Sequence, residues 1–140
     1  MNPAIRIAAI EALPDDYLTR GDFSFTIACY ALPQFDSPVD SWPTRPVAPF
    51  RKRYPLAPFA NEDSVTFLAY RQNDAVGHIT LSKNWNGYTL IDEIAVSAHA
   101  RRQGIAGALL DCAKRWARQQ ETSGMMLETQ NNNLAACRCY

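Results

Sequence analysis

Hydrophobic spacing along this chain predicts its elements one after another. Ile5, Ile7 and Ile10 mark a short first strand, and Pro14-Asp15-Asp16 marks a helix start. Residues 22–31 fit strand or helix equally well. Ser64–Tyr70 is rich in β-branched and aromatic residues, as a strand is. Gln72-Asn73-Asp74 is turn chemistry. Val76–Ser82 alternates Val76, His78 and Thr80 with Gly77, Ile79 and Leu81, which predicts a half-buried strand. Asn86-Gly87 signals a hairpin, and Tyr88–Val96 supplies a third strand. Ile105, Ala108, Leu109, Cys112 and Trp116 then recur at three and four residues, one apolar face of a helix. Asp111 and Arg115 on its polar side are spaced for an ion pair. Met125–Thr129 predicts one more strand, and Leu134–Tyr140 the start of a helix capped from Asn131-Asn132-Asn133. Three antiparallel strands, helix, strand and helix make an α+β domain with a mixed sheet.

Proline changes the picture between these halves. Seven of the nine prolines lie from Pro33 to Pro58. Repeated prolines oppose both helix and central strand, so this stretch is expected to be irregular and extended. Its Phe35, Trp42, Phe50, Tyr54 and Phe59 suit either a loop packed over the core or the wall of a binding site.

Composition narrows the function. At 140 residues the chain has the size of one domain, 1–140. Fourteen basic side chains balance fourteen acidic ones, which argues against a nonspecific nucleic-acid binder. No run approaches the ~20 apolar residues of a membrane span, and residues 1–30 lack a signal-peptide pattern, so a cytoplasmic protein is expected. Cys29, Cys112, Cys137 and Cys139 are then expected as thiols. They lack zinc spacing, and no metal is expected.

The stretch that carries chemistry is Ile94-Ala95-Val96-Ser97-Ala98-His99-Ala100-Arg101-Arg102-Gln103-Gly104-Ile105-Ala106-Gly107. A strand ends, a basic loop follows, and small residues open a helix. The helix start offers unpaired N–H donors and partial positive charge, and Arg101 and Arg102 add full charge. That combination suits a pyrophosphate. A tight turn with solvated arginines is the plainer alternative. The loop is neither a Walker A loop nor a Rossmann fingerprint.

Arg101-x-x-Gly104-x-Ala106 resembles the Q/R-x-x-G-x-G/A signature of the GNAT N-acetyltransferases. Asn133-x-x-Ala136-x-x-x-Tyr140 is similar to that superfamily's second conserved stretch. Within the superfamily the chain looks most like the streptothricin N-acetyltransferases. The matching residues are Pro49-Phe50-Arg51-Lys52-x-Tyr54, Glu62-Asp63-Ser64, Trp85-Asn86, Ile91-Asp92-x-Ile94-Ala95-Val96 and Leu127-Glu128-Thr129-Gln130-x-Asn132-Asn133. The similarity runs from Arg45 to Tyr140.

The resemblance implies a GNAT fold and acetyl-CoA as cosubstrate. Its pyrophosphate would lie on Arg101, Arg102, Gln103, Gly104, Ile105, Ala106 and Gly107. Its pantetheine arm would lie along Ile94, Ala95 and Val96, with Asn133, Ala136 and Tyr140 on the next helix. Tyr140 would protonate the leaving thiolate, since a phenol keeps its proton at neutral pH. Asp92 and Glu93 are the candidate bases. Adjacent strand residues face opposite sides, and Asp92 shares parity with Ile94 and Val96; the resembling enzymes also carry an acid at the Asp92 position more regularly than at Glu93, and both points favour Asp92 as base or as anchor for the substrate ammonium. Glu128, Glu62 and Asp63 would add to an acidic pocket for a cationic antibiotic, walled by Trp85, Asn86 and Tyr54. Arg51-Lys52-Arg53 would be a solvated patch or approach a CoA phosphate.

The implied reaction is direct acetyl transfer to an amine of streptothricin, conferring resistance. Another amine (an aminoglycoside, a polyamine or a protein amine) and a non-catalytic CoA-binding role are the alternatives. A homodimer is also compatible with the resemblance. Family members continue past the tyrosine with a Gly-Phe-containing turn and further strands. The chain therefore reads as a GNAT domain whose C-terminal strands are missing, with Tyr140 on a fraying end and Met125–Thr129 on an exposed edge.

Overall fold

The computed structural model describes residues 4–34, 36–52 and 63–127. Contacts divide the chain into two compact units. One draws its described residues from Met1–Phe23 and Pro55–Leu127, the other from Ser24–Tyr54.

The larger unit is a five-stranded sheet in the order β1-β4-β5-β6-β7. Its strands are β1 (Ile5–Ile10), β4 (Ser64–Arg71), β5 (Asp74–Lys83), β6 (Thr89–Val96) and β7 (Met125–Met126). β1, β4, β5 and β6 pair antiparallel, and β7 joins β6 in parallel. The meander read from residues 64–96 is thus present, with short turns at Gln72-Asn73 and at Asn84–Tyr88. Gly87 takes a left-handed φ of 85° in the second turn, as the Asn-Gly signal requires.

β5 differs from its expected half-buried state. Val76 through Leu81 are all buried, because β5 is the central strand and is covered on both faces. One face carries Ile79 and Leu81 toward α2 (Ile105–Gln119), whose Ile105, Leu109 and Ala113 complete the main core. Burying each of these large aliphatic side chains contributes roughly 1.5–3 kcal/mol. On the polar side of α2, the ion pair of Asp111 is with Lys114 at 3.8 Å. Burial pushes the Cys112 thiol up on this helix, against a smaller opposing pull from Arg115.

The other face carries a second cluster, built on Leu68 with Tyr17 and Phe23. Tyr17 opens α1 (Tyr17–Arg20), a single turn whose first bond runs from the Tyr17 N–H to the Pro14 carbonyl at 3.0 Å. Arg20 ties this turn to Asp16 at 3.3 Å and to Asp74 at 3.7 Å.

The smaller unit is a two-stranded antiparallel sheet of β2 (Phe25–Ala31) and β3 (Thr44–Lys52). Residues 22–31, ambiguous in sequence, therefore supply a strand. β3 corrects the expectation of irregular chain across the proline-rich stretch. It accommodates Pro46 and Pro49 in a two-stranded ribbon, where each strand has a side that needs no ladder N–H. A register shift between Ile27 and Cys29 lies beside Pro46. Among the described residues no helix is long and apolar enough to cross a membrane.

Candidate active site

The β6–α2 connection is a tight basic turn that runs straight into a helix N-terminus. After β6, a short 3₁₀ turn (Ala98–Ala100) leads to Arg102 and Gly104, both with left-handed φ, of 62° and 80°. That conformation costs a non-glycine residue about 1–2 kcal/mol, so the turn uses glycine where it caps α2. The first intrahelical bond runs from the Ala108 N–H to the Gly104 carbonyl at 3.0 Å. The amides of Ile105, Ala106 and Gly107 precede it and have no intrahelical acceptor. A Cβ built on Gly104 or Gly107 meets no atom within 4 Å. Gly107 has an ordinary helical φ, so neither strain nor crowding calls for glycine there. Open space over the first turn is what its missing side chain leaves.

Side chains brace this loop from beneath. Arg101 Nε donates to the Val96 carbonyl at 3.1 Å. Gln103 donates to the His99 carbonyl at 3.4 Å and accepts from Arg71. Ser97 Oγ accepts the Asp22 N–H at 3.2 Å and bonds His99 Nδ1 at 2.9 Å. Arg102 remains exposed at the helix start.

β6 delivers the carboxylates, and its register is irregular where they sit. Thr80 pairs with Glu93 but Leu81 pairs with Ile91, so Asp92 is the extra residue of a β-bulge. A bulge breaks the two-residue alternation. Parity therefore cannot be carried from Ile94 and Val96 back to Asp92, which is exposed. β7 takes the far side of β6, among the described residues, only at Thr89 and Leu90. Half of a strand's backbone groups point away from each neighbour. Among the described residues no strand pairs with that side of β6 from Asp92 to Val96.

Glu93 ends a hydrogen-bonded chain through the second cluster. Its Oε2 lies 2.7 Å from His78 Nε2, and His78 Nδ1 lies 2.8 Å from the Tyr17 hydroxyl. His78 is fully buried and Tyr17 is 3% exposed, while the Glu93 side chain is 19% exposed. Tyr17 and Phe23 meet the imidazole edge-on, with centroids 5.4 and 6.0 Å away. Thr66 and Thr80 bond each other at 3.0 Å on the same face.

Burial, with a smaller contribution from the Glu93 charge, pushes the Tyr17 phenol well above its ordinary value of 10. A phenol that stays protonated in the folded state but ionises at about pH 10 when unfolded stabilises the fold below that pH. That stability falls as pH rises further, by about 1.4 kcal/mol per unit. Denaturant titrations between pH 9 and 11 should show this loss, and Tyr17→Phe should lack it.

The structure brings together, in one unit, Asp92, Glu93, Ile94, Ala95, Val96 and the whole 101–107 loop. Trp85 stands apart at the tip of the β5–β6 turn and is 93% exposed. Tyr54, Glu62, Glu128, Asn133, Ala136 and Tyr140 lie outside the described residues. Sequence reasoning missed Tyr17 and Phe23, for which no local signal exists, and gave no role to Ser97 within the quoted stretch. His78, a lone histidine among apolar strand residues, was visible but without a partner. Among the described residues no group of three or more His, Cys, Asp or Glu is placed to hold a metal.

Comparison with known proteins bears on this geometry. Residues 26–140 match the model of the Acetyltransferase (GNAT) family. Streptothricin acetyltransferase A of Bacillus subtilis (strain 168) is 44% identical over 79 residues, covering 56% of this chain and 46% of that protein. Streptothricin acetyltransferase of Escherichia coli is 40% identical over 97 residues, covering 69% of this chain and 56% of that protein. The chain thus spans about half the length of these relatives. A crystal structure of a Bacillus anthracis str. Ames protein, assigned as a streptothricin acetyltransferase and in complex with acetyl coenzyme A, superposes with a TM-score of 0.83. It is 29% identical and covers 98% of this chain and 81% of its own.

Proposed function

The chain belongs to the GNAT acetyltransferase family, and from that premise we propose that it transfers the acetyl group of acetyl-CoA directly to an amine of a streptothricin-type antibiotic. The observation that carries the cofactor half is the α2 N-terminus. Three amides without intrahelical acceptors lie there, under the space left by Gly104 and Gly107. The cosubstrate supplies an activated thioester. Gln103, Gly104, Ile105, Ala106 and Gly107 hold its pyrophosphate, with charge from Arg101 and Arg102. The side of β6 away from β5 pairs with its extended arm at Ile94 and the Val96 N–H, the Val96 carbonyl being held by Arg101.

On β6, Glu93 takes a proton from the substrate ammonium so that the amine lone pair can attack the thioester carbon. Asp92, exposed at the bulge, attracts the ammonium. Departure of the thiolate is completed by a proton from Tyr140, and the tyrosinate left behind takes the second proton that the nitrogen sheds as it becomes an amide. Glu62, Glu128, Trp85 and Tyr54 are assigned to the substrate side on the resemblance alone. The antibiotic class is carried by the names of the relatives, since fold does not fix a substrate.

Incubation of the protein with acetyl-CoA and streptothricin, followed by mass spectrometry, should show one added acetyl group on the antibiotic. Acetylation of an aminoglycoside, a polyamine or a peptide amine in its place would overturn the substrate. Binding of acetyl-CoA with no turnover on any of these amines would overturn catalysis.

A further inference from the structure

We propose that Tyr17 and His78 are positioning residues that hold the Glu93 carboxylate by one oxygen and leave the other directed to the incoming amine. This rests on the reading of Glu93 as the base. The hydrogen-bond pattern gives the chain a direction. An ionised Glu93 only accepts, so at 2.7 Å the His78 Nε2 must carry the proton between them. With the imidazole neutral, its lone pair is on Nδ1 and the Tyr17 hydroxyl donates to it at 2.8 Å. In the other tautomer two lone pairs would face each other between Nε2 and Oε2.

The imidazole has nowhere to turn. It is fully buried, with Tyr17 and Phe23 packed against it edge-on. Across the sheet it faces Leu68 on β4 and Ala95 on β6. Among the described residues, the titratable groups hydrogen-bonded to it are Tyr17 from α1 and Glu93 from β6. Oε2 is thereby fixed inside the sheet, and among the described residues Oε1 has no hydrogen-bond partner. In the transfer step an N–H bond of the ammonium breaks and an O–H bond forms at Oε1. The Nε2–H···Oε2 bond persists throughout, so His78 orients the base without itself losing a proton. Such orientation matters because a misplacement of about 1 Å can cost ~10²-fold in rate.

The test compares His78→Phe, His78→Gln and Tyr17→Phe with the wild type. The readout is thiol release from acetyl-CoA with streptothricin, across pH 5–9, with thermal melts to verify folding. His78→Phe should lower kcat by ~10²-fold with KM for acetyl-CoA unchanged. His78→Gln, which returns an N–H near the Nε2 position, should recover part of the rate. Tyr17→Phe keeps the ring and the packing, and should lower kcat by about tenfold. A wild-type rate in both Phe variants would overturn the proposal. A loss of rate in His78→Phe with no recovery by His78→Gln would overturn it as well, as a packing effect. Glu93→Gln at wild-type rate would instead overturn the base reading beneath it.

Discussion

Glu93→Gln is expected to lower kcat by about 10²–10⁴-fold, the usual contribution of a positioned general base. The substitution is nearly isosteric, and the Gln carbonyl can still accept the proton of His78 Nε2. The buried chain to Tyr17 therefore persists and only the capacity to take a proton is removed. KM for acetyl-CoA should stay within a few-fold, because the proposed pyrophosphate site lies beyond Val96, apart from Glu93. Steady-state kinetics on purified protein would check both numbers. Asp92→Asn makes a useful contrast. An exposed carboxylate at a bulge acts on the substrate charge through solvent, so its loss should raise KM for the amine more than it lowers kcat. If Asp92→Asn shows the large kcat loss and Glu93→Gln does not, the two roles are exchanged.

Gly107→Glu should separate stability from binding, with opposite signs. Gly107 is the third residue of α2 and is exposed, and a Cβ there meets nothing within 4 Å. Replacing a helical glycine removes about 1 kcal/mol of propensity cost, and a carboxylate in the first turn interacts favourably with the helix dipole. The melting temperature should therefore rise or hold. The same side chain fills the space over the first-turn amides and places a negative charge where we propose the pyrophosphate binds. The Kd for acetyl-CoA should weaken by at least about 10²-fold, corresponding to ~2.7 kcal/mol. Calorimetric titration beside a thermal melt would read both. Unchanged binding in a stable variant would move the cofactor away from this helix. Few packing positions would give this split, because a residue buried for the fold loses stability when it is changed.

How much of this was legible in the sequence follows from how far each signal reaches. Strand alternation, the Asn86-Gly87 turn, the apolar face of α2 and the Gly104 cap each act within a few residues. A string of residue types carries them directly. Prolines at 46 and 49 argued against a strand and were overruled, because a two-stranded ribbon has a side where no N–H is needed. That permission comes from the neighbouring strand and not from the prolines.

The carboxylates show the boundary most clearly. The sequence placed two acids on the strand that leads into the anion loop, and it named the family through that loop. Its rule for choosing between them assumed an unbroken pleat. Only strand pairing reveals that Asp92 is the bulged residue, because a bulge is a relation between two strands. The partner of Glu93 lies 15 residues away on β5, and that partner's own partner lies 61 residues away on α1. The sequence by itself determined the meander, the helix and the basic turn that opens it, all set by local sterics and periodicity. The tertiary structure decided which acid is held and which is exposed, since that depends on hydrogen bonds closed only when distant strands and a one-turn helix pack together.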